Sequence, residues 1–332
     1  YRLNNFIEAY KGFNNFIKDP EAQNIEEYQH IDYNIAYSLL KQKKYAEATD
    51  AFHKYLGNNR GDRIRDNDSY LRIGDGYFIN RKYTEAIKFY DKALAINGIE
   101  SDYAQFQKAI SYGLVGDETQ KIENLNSFIE SGLKSKFNDD AHYVLGNSYI
   151  KTGQNDLALK NYDRLILNYK RSPLVPKALL KKGVIHYNSD ENERALSIYK
   201  GIVSKFPNTL EAKQAVKSAR QIYVDIGRVD EYASWVKNIK FVNVSNTDLD
   251  NDTYEAAEKQ YLQNNHPKSI INFKNYLRNF PNGLHKLHAN FYLGQSLFAT
   301  NKHKETIPYY TFVVNQPYNE FSESALALSL IH

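Results

Sequence analysis

Two short groups of residues have the side chain types that metal sites need. The segment DLDND at 248–252 resembles the start of a calcium-binding loop. That loop needs glycine at its sixth position and glutamate at its twelfth, where this chain has Thr253 and Lys259. We therefore expect the aspartates to cap the helix that follows. His285 and His288 lie one helical turn apart, but no nearby Cys or carboxylate completes a site, so we predict no metal.

The sequence contains no motif of enzyme catalysis. It has no phosphate-binding loop, no glycine-rich dinucleotide fingerprint and no nucleophile elbow. The carboxylates are scattered along the chain, and no pair stands out as a general acid and base. We therefore predict a protein that is not an enzyme and that needs no cofactor.

Composition narrows the class of protein further. The chain has 332 residues, of which 42% are hydrophobic and 25% charged, and this is typical of a folded protein. A net charge of +4 is too small for a nucleic-acid surface, which needs a dense basic stripe. No apolar run is long enough to insert in a membrane. The absence of Cys excludes disulfides and thiolate chemistry.

The chain repeats itself at a fixed period. GDGYFINRKYTEAIKFYDKAL at 74–94 and GNSYIKTGQNDLALKNYDRLI at 146–166 share the spacing of Gly, Tyr, Ala, Tyr and Asp. Sliding this pattern along the chain finds nine copies, and the last five steps between them are each 37 residues long. Such regularity indicates a stacked repeat architecture.

Each repeat predicts two helices, here called the first and the second helix. In the second helix a small residue is followed four and seven positions later by apolar residues, as in Ala158, Tyr162 and Leu165. Gly or Ala recurs at one phase of the first helix: Ala36, Gly74, Ala109, Gly146, Gly183, Ala257 and Gly294. Glycine is costly inside a helix, so its recurrence indicates that the two helices pack closely there. Lys121 and Tyr232 replace the small residue in the third and sixth repeats, which should pack less regularly.

This pattern resembles the tetratricopeptide repeat along essentially the whole chain. The resemblance implies an all-α fold, a right-handed superhelical solenoid of about eight helix–turn–helix repeats over residues 1–332, with a half-repeat at each end. Because the given sequence begins and ends inside a repeat, we expect the chain to be a segment of a longer array. FVNVSNTDLD at 241–250 lacks a helical face. We expect a break in the stacking there, dividing 1–240 from 251–332.

In tetratricopeptide folds the first helices line a concave groove, and the resemblance thus implies that this groove holds peptide or protein partners. The groove-facing phases of the first helices carry ten aromatic candidates: Tyr33, Tyr37, Phe78, Phe106, Tyr143, Tyr187, Tyr254, Tyr261, Phe291 and Phe298. Buried aromatic side chains are common anchors of interfaces. For the candidates that lie three residues before the Gly/Ala phase, the alternative is that their side chains pack partly on the neighbouring helix.

The function that this implies is a non-enzymatic scaffold for protein–protein interactions. The alternative is the repeat region of a larger multidomain enzyme or glycan-handling assembly whose active domain lies outside this segment. KFPNTLEAKQA and NFPNGLHKLHA resemble envelope tetratricopeptide proteins of the TolA-binding and outer-membrane-assembly lipoprotein type. This resemblance implies a bacterial periplasm or cell envelope location, with the cytoplasm as the alternative.

Overall fold

A computed structural model describes residues 5–58, 61–96, 98, 100–132 and 134–329. In these residues the chain has eighteen α-helices, two short 3-10 helices at Pro20–Asn24 and Glu26–His30, and no β-strand. The chain forms two compact units, 1–174 and 175–332. The helices of the first unit are α1 Phe6–Phe16, α2 Ile31–Lys41, α3 Tyr45–Gly57, α4 Arg63–Ile79, α5 Tyr83–Ile96, α6 Ser101–Leu114, α7 Glu118–Glu130, α8 Asn138–Lys151 and α9 Asn155–Asn168. Those of the second unit are α10 Val175–Asn188, α11 Asn192–Lys205, α12 Leu210–Asp225, α13 Val229–Val236, α14 Asn246–Leu262, α15 His266–Asn279, α16 Lys286–Ala299, α17 His303–Val314 and α18 Ser322–Ser329.

The helices pack in consecutive pairs, which confirms the predicted all-α helix–turn–helix fold. Eight pairs run from α2–α3 to α16–α17, with α1 before them and α18 after them. None of the helices in the described ranges combines the length and the apolar content that crossing a membrane requires.

The turn inside each pair has the same geometry in all eight pairs, and this geometry explains the regular period. A residue in the left-handed region follows every first helix: Lys43, Arg81, Gly116, Gly153, Asp190, Gly227, Asn264 and Asn301. The next amide then donates to the carbonyl five residues back, as Gln154 does to Tyr149 at 2.8 Å and Arg228 does to Tyr223 at 2.8 Å. This is the Schellman ending, which stops a helix at a defined residue. The second helix therefore starts at the same point in every repeat.

The glycines of the first helices make room for tyrosine rings of the second helices. A Cβ on Gly183 would lie 2.4 Å from the Tyr199 ring, and one on Gly146 would lie 2.5 Å from the Tyr162 ring. The same contact joins two more pairs: Gly74 with Tyr90, and Gly294 with Tyr310. Where the first helix has Ala36, Ala109 or Ala257, the position sixteen residues later holds Phe52, Leu125 or Phe273. The close packing predicted from the glycines is thus a contact between a glycine gap and a ring.

The pair α12–α13 departs from this pattern. Position 220, where the period places Gly or Ala, holds Arg220, and the small residue of the second helix is replaced by Tyr232. Helix α13 has 8 residues, whereas the second helices of the other pairs have 12 to 14. The sixth repeat is thus irregular, as predicted. In the third repeat, by contrast, Leu125 and Phe128 are fully buried although Lys121 replaces the small residue.

The segment 241–250 lies within the second compact unit. Its last five residues form the start of α14, and Ser245 caps that helix in a capping box with Asp248. Residues 241–244 are not helical. The break in stacking that the sequence predicts at this segment stays a prediction.

Candidate functional site

The ten aromatic candidates divide by burial. Three are buried: Phe106 at 9% exposure, Tyr254 at 6% and Phe291 at 8%. The other seven are half-buried: Tyr33, Tyr37, Phe78, Tyr143, Tyr187, Tyr261 and Phe298. The buried three all belong to the phase for which packing on a neighbour was the alternative. The binding role of the whole set stays a prediction.

Each of the three buried rings stacks on a residue just before the next first helix. Phe106 stacks on Phe137, with ring centroids 5.2 Å apart. Tyr254 stacks on His285 at 4.2 Å, and Phe291 stacks on Phe321 at 4.3 Å. These contacts fix one repeat against the next, so truncating these rings should cost stability before it costs binding.

In the first compact unit polar side chains form a closed network. The Tyr33 hydroxyl donates to Asp68 at 2.8 Å, and Arg72 lies between Asp68, Asp75 and Glu100. Burial raises the pKa of Asp75, although three groups, those of Tyr103, Arg72 and Tyr90, donate hydrogen bonds to it. The polar groups of this network satisfy one another and link α2, α4 and α6.

In the second compact unit Asp225, at the end of α12, joins three first helices. It accepts hydrogen bonds from the Tyr187 hydroxyl of α10, from Gln221 at 3.0 Å and from the Lys259 ammonium of α14 at 2.5 Å. Burial alone would raise the pKa of Asp225, but these hydrogen bonds lower it below its ordinary value. Tyr187, one of the predicted anchors, is therefore already hydrogen-bonded.

Helices α14 and α16 carry aromatic side chains whose polar groups are not all paired within the described residues. We call Tyr261, His288 and Tyr292 the α14–α16 patch. The rings of Tyr261 and Tyr292 lie 4.6 Å apart, and His288 lies 6.4 Å from Tyr292. All three are half-buried. Within the described residues, neither the Tyr261 nor the Tyr292 hydroxyl has a hydrogen-bond partner, and neither is buried. Both can meet a ligand.

Carboxylates flank the α14–α16 patch. Glu258 accepts a hydrogen bond from the Tyr254 hydroxyl at 2.7 Å, and Glu320 lies 3.3 Å from the Nε2 atom of His288. Burial raises the pKa of Tyr292, and the negative charges of Glu258 and Glu320 raise it further. The hydroxyl of Tyr292 thus stays protonated and can donate a hydrogen bond, with two carboxylates nearby.

The aspartates of 248–252 go to separate structural partners. Ser245 is the N-cap of α14 and Asp248 completes its capping box, so the capping role expected for the aspartates is confirmed for Asp248 and is wrong for Asp250 and Asp252, which lie inside the helix. Asp250 is buried and accepts from the Tyr276 hydroxyl at 2.6 Å and from the Leu284 amide at 2.9 Å. Asp252, fully buried, forms a bidentate ion pair with Arg220.

His285 and His288 also contact different partners. The Nε2 atom of His285 lies 2.8 Å from the Asn251 side chain oxygen, whereas that of His288 faces Glu320. In the part of the chain that the structure describes, no three His, Asp or Glu side chains are placed to share a metal ion.

Sequence reasoning missed Tyr292, which belongs to the α14–α16 patch, and Arg72, which lies at the centre of the polar network of the first unit. Both stand two positions before the Gly/Ala phase, at Gly294 and Gly74. The predicted groove positions lie at three other phases of the first helices. The aromatic or cationic side chain at this fourth phase was the signal available in the sequence.

Helix pairs with a recurring Schellman turn define a helical repeat protein. The family model described as tetratricopeptide repeat matches residues 33–99 and 143–208, which is about two fifths of the chain. The first segment covers most of α2 and all of α3 to α5, and the second covers the later part of α8 and all of α9 to α11. These two segments are therefore tetratricopeptide repeats.

The chain is also similar to solved structures of this class at low identity. A tetratricopeptide repeat protein from Parabacteroides merdae is 14% identical, with 81% of this chain and 98% of that one covered and a TM-score of 0.49. YrrB, described as a TPR protein with an unusual peptide-binding site, is 20% identical, with 63% and 100% covered and a TM-score of 0.47. A repeat protein from Cytophaga hutchinsonii is 16% identical, with 77% and 99% covered and a TM-score of 0.46. No curated protein matches the chain.

Proposed function

We propose that the chain is a non-enzymatic scaffold that binds a peptide or a protein segment at the α14–α16 patch. The observation that supports this is the pair Tyr261 and Tyr292, whose rings are held on rigid helices while their hydroxyls have no partner within the described residues. A half-buried Tyr offers a large apolar face and a donor at little entropic cost, as anchors of interfaces do.

The flanking charges favour one kind of ligand. Glu258 and Glu320 both place negative charge near Tyr292. A Lys or Arg side chain over Tyr261 or Tyr292 would gain both a cation–π contact and an opposite charge. The patch therefore suits a segment that carries a basic residue next to an apolar one.

The test starts from selection of peptides on the immobilised chain with a displayed random-peptide library. The selected peptides should be enriched in basic residues beside apolar ones. Titration calorimetry then compares the wild type with Tyr261→Ala and Tyr292→Ala. Each truncation should weaken binding by about 2 kcal/mol, roughly 30-fold in Kd. Tyr292→Phe keeps the ring and should lose only the part that the hydroxyl contributes.

The matched control is Tyr70→Ala. Tyr70 is also half-buried, but it lies in the first compact unit and contacts Phe89 and Lys92. It should leave binding unchanged. If the two patch variants bind the selected peptides like the wild type and only melt earlier, these rings are packing residues and the patch is not the site.

We extend the proposal to a bacterial envelope location, on the strength of the sequence resemblance of KFPNTLEAKQA and NFPNGLHKLHA. Cell fractionation with an antibody to the chain tests it. Recovery with cytoplasmic markers would contradict it.

A further inference from the structure

The irregular pair α12–α13 borders a cavity of about 420 Å³ in the second compact unit. Helix α13 ends at Val236, and the non-helical residues 241–244 line this cavity. The apolar part of the lining comes from Val216 of α12, Tyr232 of α13, and Phe241 and Val244 of that segment. The volume lies in the range of about 300–1,000 Å³ that small-molecule sites occupy.

Three cations of α12 stand at this cavity: Lys213, Lys217 and Arg220. Lys213 and Lys217 are one helical turn apart and exposed, and like charges at that spacing repel. Within the described residues neither ammonium group forms an ion pair or a hydrogen bond. Two unpaired cations therefore face one cavity.

The neighbouring carboxylates are already engaged. Asp252 is fully buried and holds Arg220 through both of its oxygens. Asp248 lies at the cavity but accepts from the amide and hydroxyl of Ser245 at the start of α14. Asp248 keeps its negative charge, because Ser245 is a neutral donor, but one carboxylate offsets only one of the two lysines. The lining therefore keeps a net positive charge.

We propose that this cavity binds an amphiphilic carboxylate, an anion with an apolar chain or ring. Its carboxylate lies between the ammonium groups of Lys213 and Lys217, and its apolar part lies against Val216, Phe241 and Val244. A simple inorganic anion would leave the apolar lining wet, and a neutral apolar molecule would leave the two lysines repelling each other. A ligand with both features complements the two lysines and the apolar residues at once.

Decanoate is the test ligand, with decanol and acetate as comparisons, titrated into the whole chain by calorimetry. Decanoate should bind, while decanol and acetate should bind at least about tenfold more weakly. Lys213→Gln with Lys217→Gln should weaken decanoate by about tenfold or more and leave decanol unchanged. Val244→Trp, which fills the cavity, should abolish binding.

The matched control is Lys181→Gln with Lys268→Gln. These lysines are also exposed, lie in the second compact unit, and change the net charge equally. The control should bind decanoate like the wild type, and melting curves should show all lysine variants folded. No binding of decanoate to the wild type would overturn the proposal. So would an equal loss in the test and control variants, because that would mark general attraction of a surfactant anion to a basic surface.

Discussion

The helix pairs α10–α11 and α12–α13 are adjacent repeats with different cores. In α10–α11 the gap at Gly183 receives the ring of Tyr199, and Ala195 is fully buried at the crossing. In α12–α13 the positions 37 residues later hold Arg220 in place of Gly183, Val236 in place of Tyr199 and Tyr232 in place of Ala195. Both pairs nevertheless have the same Schellman turn, at Asp190 and at Gly227.

The comparison shows that the turn and the core determine different properties of a helix pair. The turn sets where each helix starts, and it is intact in both pairs. The core sets how the pair closes. Arg220 cannot enter a glycine gap, so its guanidinium reaches the buried Asp252 of the next repeat. Tyr232 then fills the crossing at 2% exposure. The irregular pair is held by an ion pair to α14 and leaves a cavity beside α12.

The largest effect should come from emptying the glycine gap of the regular pair. Tyr199→Ala removes a fully buried ring and should lower the free energy of unfolding by about 3–5 kcal/mol. Val236→Ala at the equivalent position should cost about 1–2 kcal/mol, because it removes less buried surface. Urea denaturation followed by the fluorescence of Trp235, the single Trp of the chain, reports on the second compact unit. Equal costs at the two positions would contradict the distinction between the two cores.

Much of this fold could be predicted from the sequence, because the turn and the crossing recur with fixed residue types. Gly153 and Gly227 mark turns, and Ala158 and Ala195 mark crossings, where they are fully buried. The site could be predicted only in part. Whether Tyr254 is buried depends on a stacking partner, His285, that comes thirty-one residues later in the chain. Similarly, Tyr187 meets Asp225 through the stacking of repeats, which no local pattern encodes.

The next effect concerns the ion pair of the irregular repeat. Arg220→Ala leaves Asp252 buried without its cation and should destabilise the second compact unit by about 3 kcal/mol. Arg220→Met combined with Asp252→Leu removes both charges and should recover most of that loss. The measurement is the urea midpoint of each variant. If the double variant is no more stable than Arg220→Ala, the cost lies in lost packing and not in an uncompensated charge.

A smaller effect should follow from closing the glycine gap. Gly183→Ala puts a Cβ within 2.4 Å of the Tyr199 ring and should cost about 1–3 kcal/mol through overpacking. The pairs Ala36–Phe52 and Ala257–Phe273 indicate that Ala is accepted opposite Phe. Tyr199→Phe added to Gly183→Ala should therefore relieve part of the strain, because a ring without its hydroxyl can shift. A double-mutant cycle should give a favourable coupling of about 0.5–1 kcal/mol. Strict additivity would mean that the ring does not sense the Cβ.

The smallest effect should be a pH dependence that comes from Asp225, the residue that ties α12 to the regular α10. Its pKa is lower in the folded chain than in the unfolded one, so its ionised form favours folding. The contribution is complete above the unfolded pKa and is lost as the pH falls through the folded value. Asp225→Asn should therefore be less stable than the wild type at pH 6 by about 1 kcal/mol or less, since the group is partly solvated. The difference should shrink as the pH falls below about 4. Lys82→Gln, an exposed change far along the chain, controls for general charge effects. A stability difference that is the same at every pH would mean that Asp225 acts through its hydrogen-bond geometry and not through its charge.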